Sequence, residues 1–202
     1  MGLTILFILP ISAQELENID EIAPFSEGLA GVRKGNQWGF INGQGELVIA
    51  FRDDIYWNEN ADSSRKDALG IRYPKFSDGL CLISSTVEDG IPVFGFINTT
   101  GNSVIEPQFL NVYPFENGYT TGVLVDKTVK GENEFQLEIY EYKFFDVLVK
   151  SSGEMAEYFQ RRDNILMSSR RYTTPKIEAK VLMDRLVAHK GNNKGWQISK
   201  ID

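Results

Sequence analysis

The chain has one cysteine and one histidine in 202 residues. A single cysteine excludes an intrachain disulfide framework and a zinc–thiolate cluster. A single histidine excludes sites built from several imidazoles. The longest apolar stretch, Leu3 to Ile11, is broken by Thr4 and Pro10. It falls well short of the roughly 20 residues that span a bilayer. A positive charge excess is also missing: 21 basic residues face 28 acidic ones, net −7. That balance has the wrong sign for a general nucleic-acid binder. No phosphate-binding glycine loop, nucleophile elbow or H-E-x-x-H zinc motif occurs. What remains is ordinary globular material, 42% hydrophobic and 24% charged, long enough for one domain or two small ones.

The apolar run at the start suits the core of a secretory signal, residues 1–13, cut after Ala13. Its leading Met1-Gly2 carries no basic residue. Export places the protein in the periplasm or at the cell surface, with no stable membrane insertion once the signal is removed. In such an oxidising space a lone Cys81 is better buried.

The middle of the chain repeats itself. Phe25-Ser26-Glu27-Gly28-Leu29-Ala30 returns as Phe76-Ser77-Asp78-Gly79-Leu80-Cys81, and again as Phe115-Glu116-Asn117-Gly118-Tyr119-Thr120. Trp38-Gly39-Phe40-Ile41-Asn42 with Gly45 follows the first; Phe94-Gly95-Phe96-Ile97-Asn98 with Gly101 follows the second. Val48-Ile49 and Val104-Ile105 come after both turns. Asn42-Gly43-Gln44-Gly45 between short apolar runs is a hairpin signal. Gly39 and Gly95 stand inside strands, where glycine marks a bulge or a close approach of another backbone. Trp38, Phe40, Phe94 and Phe96 read as core.

These residues resemble the WG-repeat, or KWG, family. Two copies match well, 25–51 and 76–109; a degenerate third covers 115–154 and lacks the tryptophan and its glycine. The resemblance implies a bacterial, mainly β, non-enzymatic module, and assigns no ligand, cofactor or catalytic residue. The expected architecture is a WG-repeat β domain over 20–154, built of stacked antiparallel β-hairpins.

Spacing departs from the repeat in two places. Gly118 to Val147 spans 29 residues where Gly28 to Gly39 spans 11. The connection from Gly45 to Phe76 takes 31 residues, against 14 from Gly101 to Phe115. The first excess is an insertion at 53–75, polar yet carrying Tyr56, Trp57 and Tyr73, which are candidate partner-binding residues. The competing reading is that these rings pin the loop down as a local core.

Residues 155–202 hold 10 basic and 5 acidic residues, net +5, whereas 1–154 hold 11 and 23, net −12. The tail is expected to pack on the acidic repeats or to face an acidic partner. Thr174-Pro175, then Ala179, Leu182, Met183 and Leu186 at helical spacing, predict a helix closing at Lys190-Gly191, with His189 at its C-terminus. Trp196, Ile198 and Ile201 predict a last strand. This basic helix and strand would cap the repeats. Over 155–171 helix and strand stay open, since Ser151 with Glu154 fits either a capping box or the repeat's turn.

Sites for chemistry are few. Asn58, Asn60 and Asp62 alternate like a calcium loop, but Ser63 and Leu69 occupy positions that need glycine and glutamate. Cys81 reads as a small core residue rather than half of a dyad with His189, and Asp53-Asp54 as a solvated turn. The functional expectation is an exported, non-catalytic repeat protein of the bacterial envelope that binds a protein or a glycan and needs no metal. The alternatives are a small carboxylate-dependent hydrolase and a purely structural spacer.

Overall fold

A computed structural model describes residues 16–87, 90–183, 185–191 and 195–201. The leader expected over 1–13 lies outside the described residues. The chain is mainly β, in three antiparallel sheets that each follow chain order. The first holds β1 (Glu21–Ile22), β2 (Leu29–Lys34), β3 (Gln37–Asn42) and β4 (Leu47–Arg52). The second holds six strands: β5 (Leu80–Val87), β6 (Ile91–Asn98), β7 (Ser103–Val112), β8 (Tyr119–Glu132), β9 (Glu138–Lys150) and β10 (Met155–Arg162). The third holds β11 (Ala179–Met183), β12 (Leu186–Lys190) and β13 (Trp196–Lys200).

Each repeat opens with a two-residue turn whose geometry explains its glycine. In Glu27-Gly28, Asp78-Gly79 and Asn117-Gly118 both residues have positive φ, between 51° and 80°. Two successive positive φ values define the mirror-image turn that matches strand twist, and glycine takes the second at little steric cost. The strand glycines do what their position predicts. A Cβ on Gly39 would lie 2.9 Å from the Ile49 carbonyl, and one on Gly95 2.4 Å from that of Ile105. At both places the pairing slips, from Trp38↔Arg52 to Phe40↔Ile49 and from Phe94↔Phe109 to Phe96↔Ile105, which is a β-bulge.

The third copy keeps this frame without the signature. Tyr119 pairs with Lys150 as Leu29 pairs with Asn42. Lys150 and Gly153 close the same hairpin turn as Asn42 and Gly45. Counting back from Lys150 puts Asp146 at the tryptophan position and Val147 at the glycine position. The extra length of this copy is a two-stranded arm formed by the outer parts of β8 and β9, with Phe135 and Leu137 exposed at its tip.

The predicted C-terminal helix is not there. Ala179–Met183 and Leu186–Lys190 pair as the β11–β12 hairpin, and His189 sits in β12, opposite Gln197. Helical spacing would bury Ala179, Leu182, Met183 and Leu186 on one face. Instead Ala179, Val187 and Ala188 are buried, while Leu182 and Met183 are exposed. Pro175 does not open a helix; its carbonyl accepts a hydrogen bond from the Asn111 side chain at 2.8 Å. The chain reverses at Arg185, with φ of 58°, and β12 finds β13, which the helical pattern did not take into account. Pairing of this kind overrides local propensity. The last strand falls where predicted, and Met155–Arg162 is strand.

Leu186 pairs with Lys200 as Leu29 does with Asn42. By that register Trp196 takes the place of Trp38, and Ile198 that of Phe40. The third sheet thus contains a fourth unit of the same hairpin. Its inner face, through Val187 and with Ile201, packs on Leu148 of the central sheet.

Candidate binding cleft

The insertion crosses the tops of the first two units. Tyr56 N–H bonds to the Leu82 carbonyl at 3.0 Å, and Ile55 bridges to Ile83, so the loop starts as a short partner of β5. Each of its three aromatic rings then meets the ring at a tryptophan position. Trp57 packs edge-on against Trp38 with centroids 5.8 Å apart, and Tyr73 does so at 6.4 Å. Tyr56 meets Phe94 at 4.8 Å. Burial pushes the Tyr56 phenol up to about 12. The Arg72 guanidinium lies 4.5 Å over Tyr73 and 5.7 Å over Trp57, and Arg33 lies 5.2 Å over Trp57. Trp57 and Tyr73 therefore share one site, and Tyr56 belongs to the neighbouring one. All three are half-buried.

Further along, the insertion is tied to the rest of the chain by a buried polar junction. Asp67 accepts from Arg65 through both oxygens and from the Asn111 amide at 2.9 Å, and the same amide reaches the Pro175 carbonyl. Burial alone raises the Asp67 carboxyl; the Arg65 and Asn111 hydrogen bonds outweigh it and leave the group below its ordinary range. Ala68, the first residue of a short 3-10 turn, and Ile71, just after it, enter the central core.

The repeat turns, the insertion and β11 enclose an open cleft of about 1330 Å³. Its basic lining is Arg65, Lys66, Arg72, Lys75, Lys176 and Lys180; Asp67 and Glu116 are its acidic residues. Arg65 is spent on Asp67, and Arg72 pairs with Glu21 at 2.9 Å. Lys180 lies over the Trp196 ring at 5.1 Å. Lys66, Lys75 and Lys176 are exposed and have no ion pair among the described residues. Of the candidate aromatics only Tyr73 lines this cleft. The lysines went unnoticed in the sequence because they come from two segments about a hundred residues apart. The charge contrast between the tail and the repeats was their only trace.

Other candidate groups are occupied locally. Cys81 is buried in the core of the first two units, and burial pushes its thiol up to about 12. His189 is stacked on Phe159 at 4.5 Å with Nε2 3.1 Å from the Ser199 hydroxyl, so it forms no dyad with Cys81. Asp54 is held by Arg52 in a two-point pair. Asn58 and Asp62 accept from the backbone N–H two residues ahead. Among the described residues no group of three or more His, Cys, Asp or Glu could hold a metal ion. Asp146 is buried at the tryptophan position of the third unit. Burial raises its carboxyl despite a 3.0 Å bond from the Glu178 N–H and Arg162 at 3.7 Å.

The WG containing repeat family model matches residues 18–38, 38–52 and 94–126; over these stretches the chain carries WG repeats. No curated protein matches the chain. Among solved structures, the crystal structure of the computationally designed Ika4 protein aligns at 13% identity, covering 95% of this chain and 96% of that one. Its TM-score is 0.34, too low to define a common fold.

Proposed function

We propose that this WG-repeat chain is an exported, non-catalytic binding module of the bacterial envelope whose cleft takes an anionic segment of a protein or glycan. The observation that carries the reading is the convergence of Lys66, Lys75 and Lys176, unpaired, on one cleft of an otherwise acidic protein. At physiological salt charges are screened beyond about 8 Å. A ligand inside the cleft therefore responds to these lysines more than to the net charge of −7. The apolar run Leu3 to Ile11 supports export, and a cleft walled by repeat turns is a common place for recognition rather than chemistry. Tyr73, stacked under Arg72 at the cleft wall, offers a flat surface for a sugar ring or peptide plane.

Binding of polygalacturonate and of poly-glutamate, with neutral dextran as control, tests the reading by calorimetry. The polyanions should bind, with affinity falling steeply as salt rises. The triple variant Lys66→Glu, Lys75→Glu, Lys176→Glu should lose at least about tenfold, since each neutralised contact near a surface is worth up to about 1 kcal/mol. Equal binding of dextran, or an unchanged affinity in the variant, removes the cleft as the site.

A further inference from the structure

Four contacts recur at both junctions, between units one and two and between units two and three. The serine of the earlier turn donates to the carbonyl of the phenylalanine that opens the later unit: Ser26 to Phe76 at 2.7 Å, Ser77 to Phe115 at 2.6 Å. The acidic residue beside it accepts from the later turn. Glu27 takes the N–H groups of Asp78 and Gly79 at 2.8 Å each, and Asp78 takes that of Gly118 at 2.6 Å. The earlier unit's W-G-F ring lies edge-on to the later phenylalanine, Phe40 on Phe76 and Phe96 on Phe115, both with centroids 4.8 Å apart. The later hairpin glycine sits on the earlier isoleucine, Gly101 on Ile49 and Gly153 on Ile105.

The receiving half of every one of these contacts is open at unit one. Among the described residues nothing donates to the Phe25 carbonyl or accepts from the Glu27 and Gly28 N–H groups. Phe25 is 57% exposed, whereas Phe76 and Phe115 are 1% exposed. Gly45 faces open space. Of the giving half, unit four keeps the two ring positions open, while Met183 stands in the place of Ser26 and supplies no hydroxyl. Ile198, in the place of Phe40, is 65% exposed, and Trp196, in the place of Trp38, is 53% exposed.

We propose that the Phe25 end of one molecule receives the Ile198 end of a second copy, head to tail, continuing the stack between chains. Charge favours this pairing over either end with itself. Unit one brings Glu46, next to the open Gly45, while cross-strand register sets Lys180 in line with Ile198. Glu21 and Lys190 are already paired within the chain, with Arg33 and Arg72 and with Glu178. An interface between unlike ends closes into a ring or runs on as a filament; it does not pair a surface with itself.

Sedimentation velocity on the full chain, from low micromolar to sub-millimolar concentration, reads the association. Phe25→Ser and Ile198→Ser change exposed side chains and should each leave the fold intact but weaken association at least tenfold. Mixed together, the two variants should associate again, because one keeps a sound tail and the other a sound head. Phe25 and Lys180 also line the cleft. The charge-reversed Lys66, Lys75 and Lys176 variant leaves both in place and should associate like the parent, which separates the Phe25–Ile198 contact from the binding that depends on those three lysines. A parent chain that stays monomeric throughout leaves the Phe25 end to a different repeat-bearing partner and overturns the proposal. Association that neither variant weakens, or that the mixture fails to restore, also overturns it.

Discussion

Trp57 is where the two readings of the insertion meet. Its ring lies between Trp38 and two guanidinium groups, so its removal opens a hole beside a fully buried tryptophan. Full truncation of a buried aromatic costs about 3–5 kcal/mol; for a half-buried ring, Trp57→Ala should cost about 2–3 kcal/mol in a urea melt. A change under about 0.5 kcal/mol, as at ordinary surface positions, would instead mark a ring held for a partner. Two aspartates make an opposed pair at the same scale. The Asp67 carboxyl is lowered in the fold, so it contributes stability above its unfolded value near 3.9 that is lost as pH falls through the folded value. The Asp146 carboxyl is raised, so its penalty is absent below the unfolded value and complete above the folded one. Asp67→Asn should therefore be most damaging at neutral pH and less so in acid. Asp146→Asn, which can still accept from the Glu178 N–H, should gain relative to the parent as pH rises from about 3 to 7. Parallel pH profiles of stability for the two variants would contradict both assignments.

At the scale of strands and turns, two kinds of glycine carry the repeat, and they fail differently. Gly95 is extended, but a Cβ there would stand 2.4 Å from the Ile105 carbonyl and 2.6 Å from the Pro107 nitrogen. Both are backbone atoms fixed by the bulge. Gly95→Ala should cost about 3 kcal/mol, at the upper end of overpacking losses. Gly45 has φ of 81° and open space around it, so Gly45→Ala should cost only the left-handed penalty, about 1–2 kcal/mol. Thermal melts that rank the two the other way would refute the bulge as the reason for the W-G pair. This element was legible in the sequence because glycine inside an apolar run has few other uses. The fourth unit was not: Leu186 to Lys190 lacks the phenylalanine and turn glycine, and its side chains also satisfy a helical period. Only pairing with Trp196–Lys200, a partner that local periodicity does not contain, decides for strand. The third unit's frame, Gly118 to Val147, was legible from its turn residues although the W-G pair is gone. The role of Asp146 was not, since the tryptophan position there no longer fills a core but holds the Glu178 backbone.

Over the whole molecule, the C-terminal segment closes the structure, though as a sheet instead of a helix. Its contacts with the rest include the Thr121 hydroxyl on the Ala179 carbonyl, Ile201 and Val187 on Leu148, the Pro175 carbonyl on Asn111, and the Glu178 N–H on Asp146. The last two link it to the insertion and to the third unit's altered W-G position, so the long loop, the degenerate repeat and the basic tail depend on one another. The same convergence forms the cleft, with Lys66 and Lys75 on one wall and Lys176 and Lys180 on another. No local pattern could have shown this, because the spacing of these residues along the chain has no period. Removing 172–202 should thus do more than uncover one edge. It strips Leu148 of its cover, takes the carbonyl from the buried Asn111 amide, and leaves Asp146 buried with its principal hydrogen-bond donor gone. Each unsatisfied buried polar group costs about 1–3 kcal/mol, in a domain whose total stability is about 5–15 kcal/mol. The truncated chain should aggregate or bind a hydrophobic dye strongly in light scattering and fluorescence measurements, and Trp57 emission should shift to the red as the insertion loosens. A truncated chain that stays monomeric with the parent's melting midpoint would mean that the tail is an appendage, and the cleft would then lose one wall without cost to the fold.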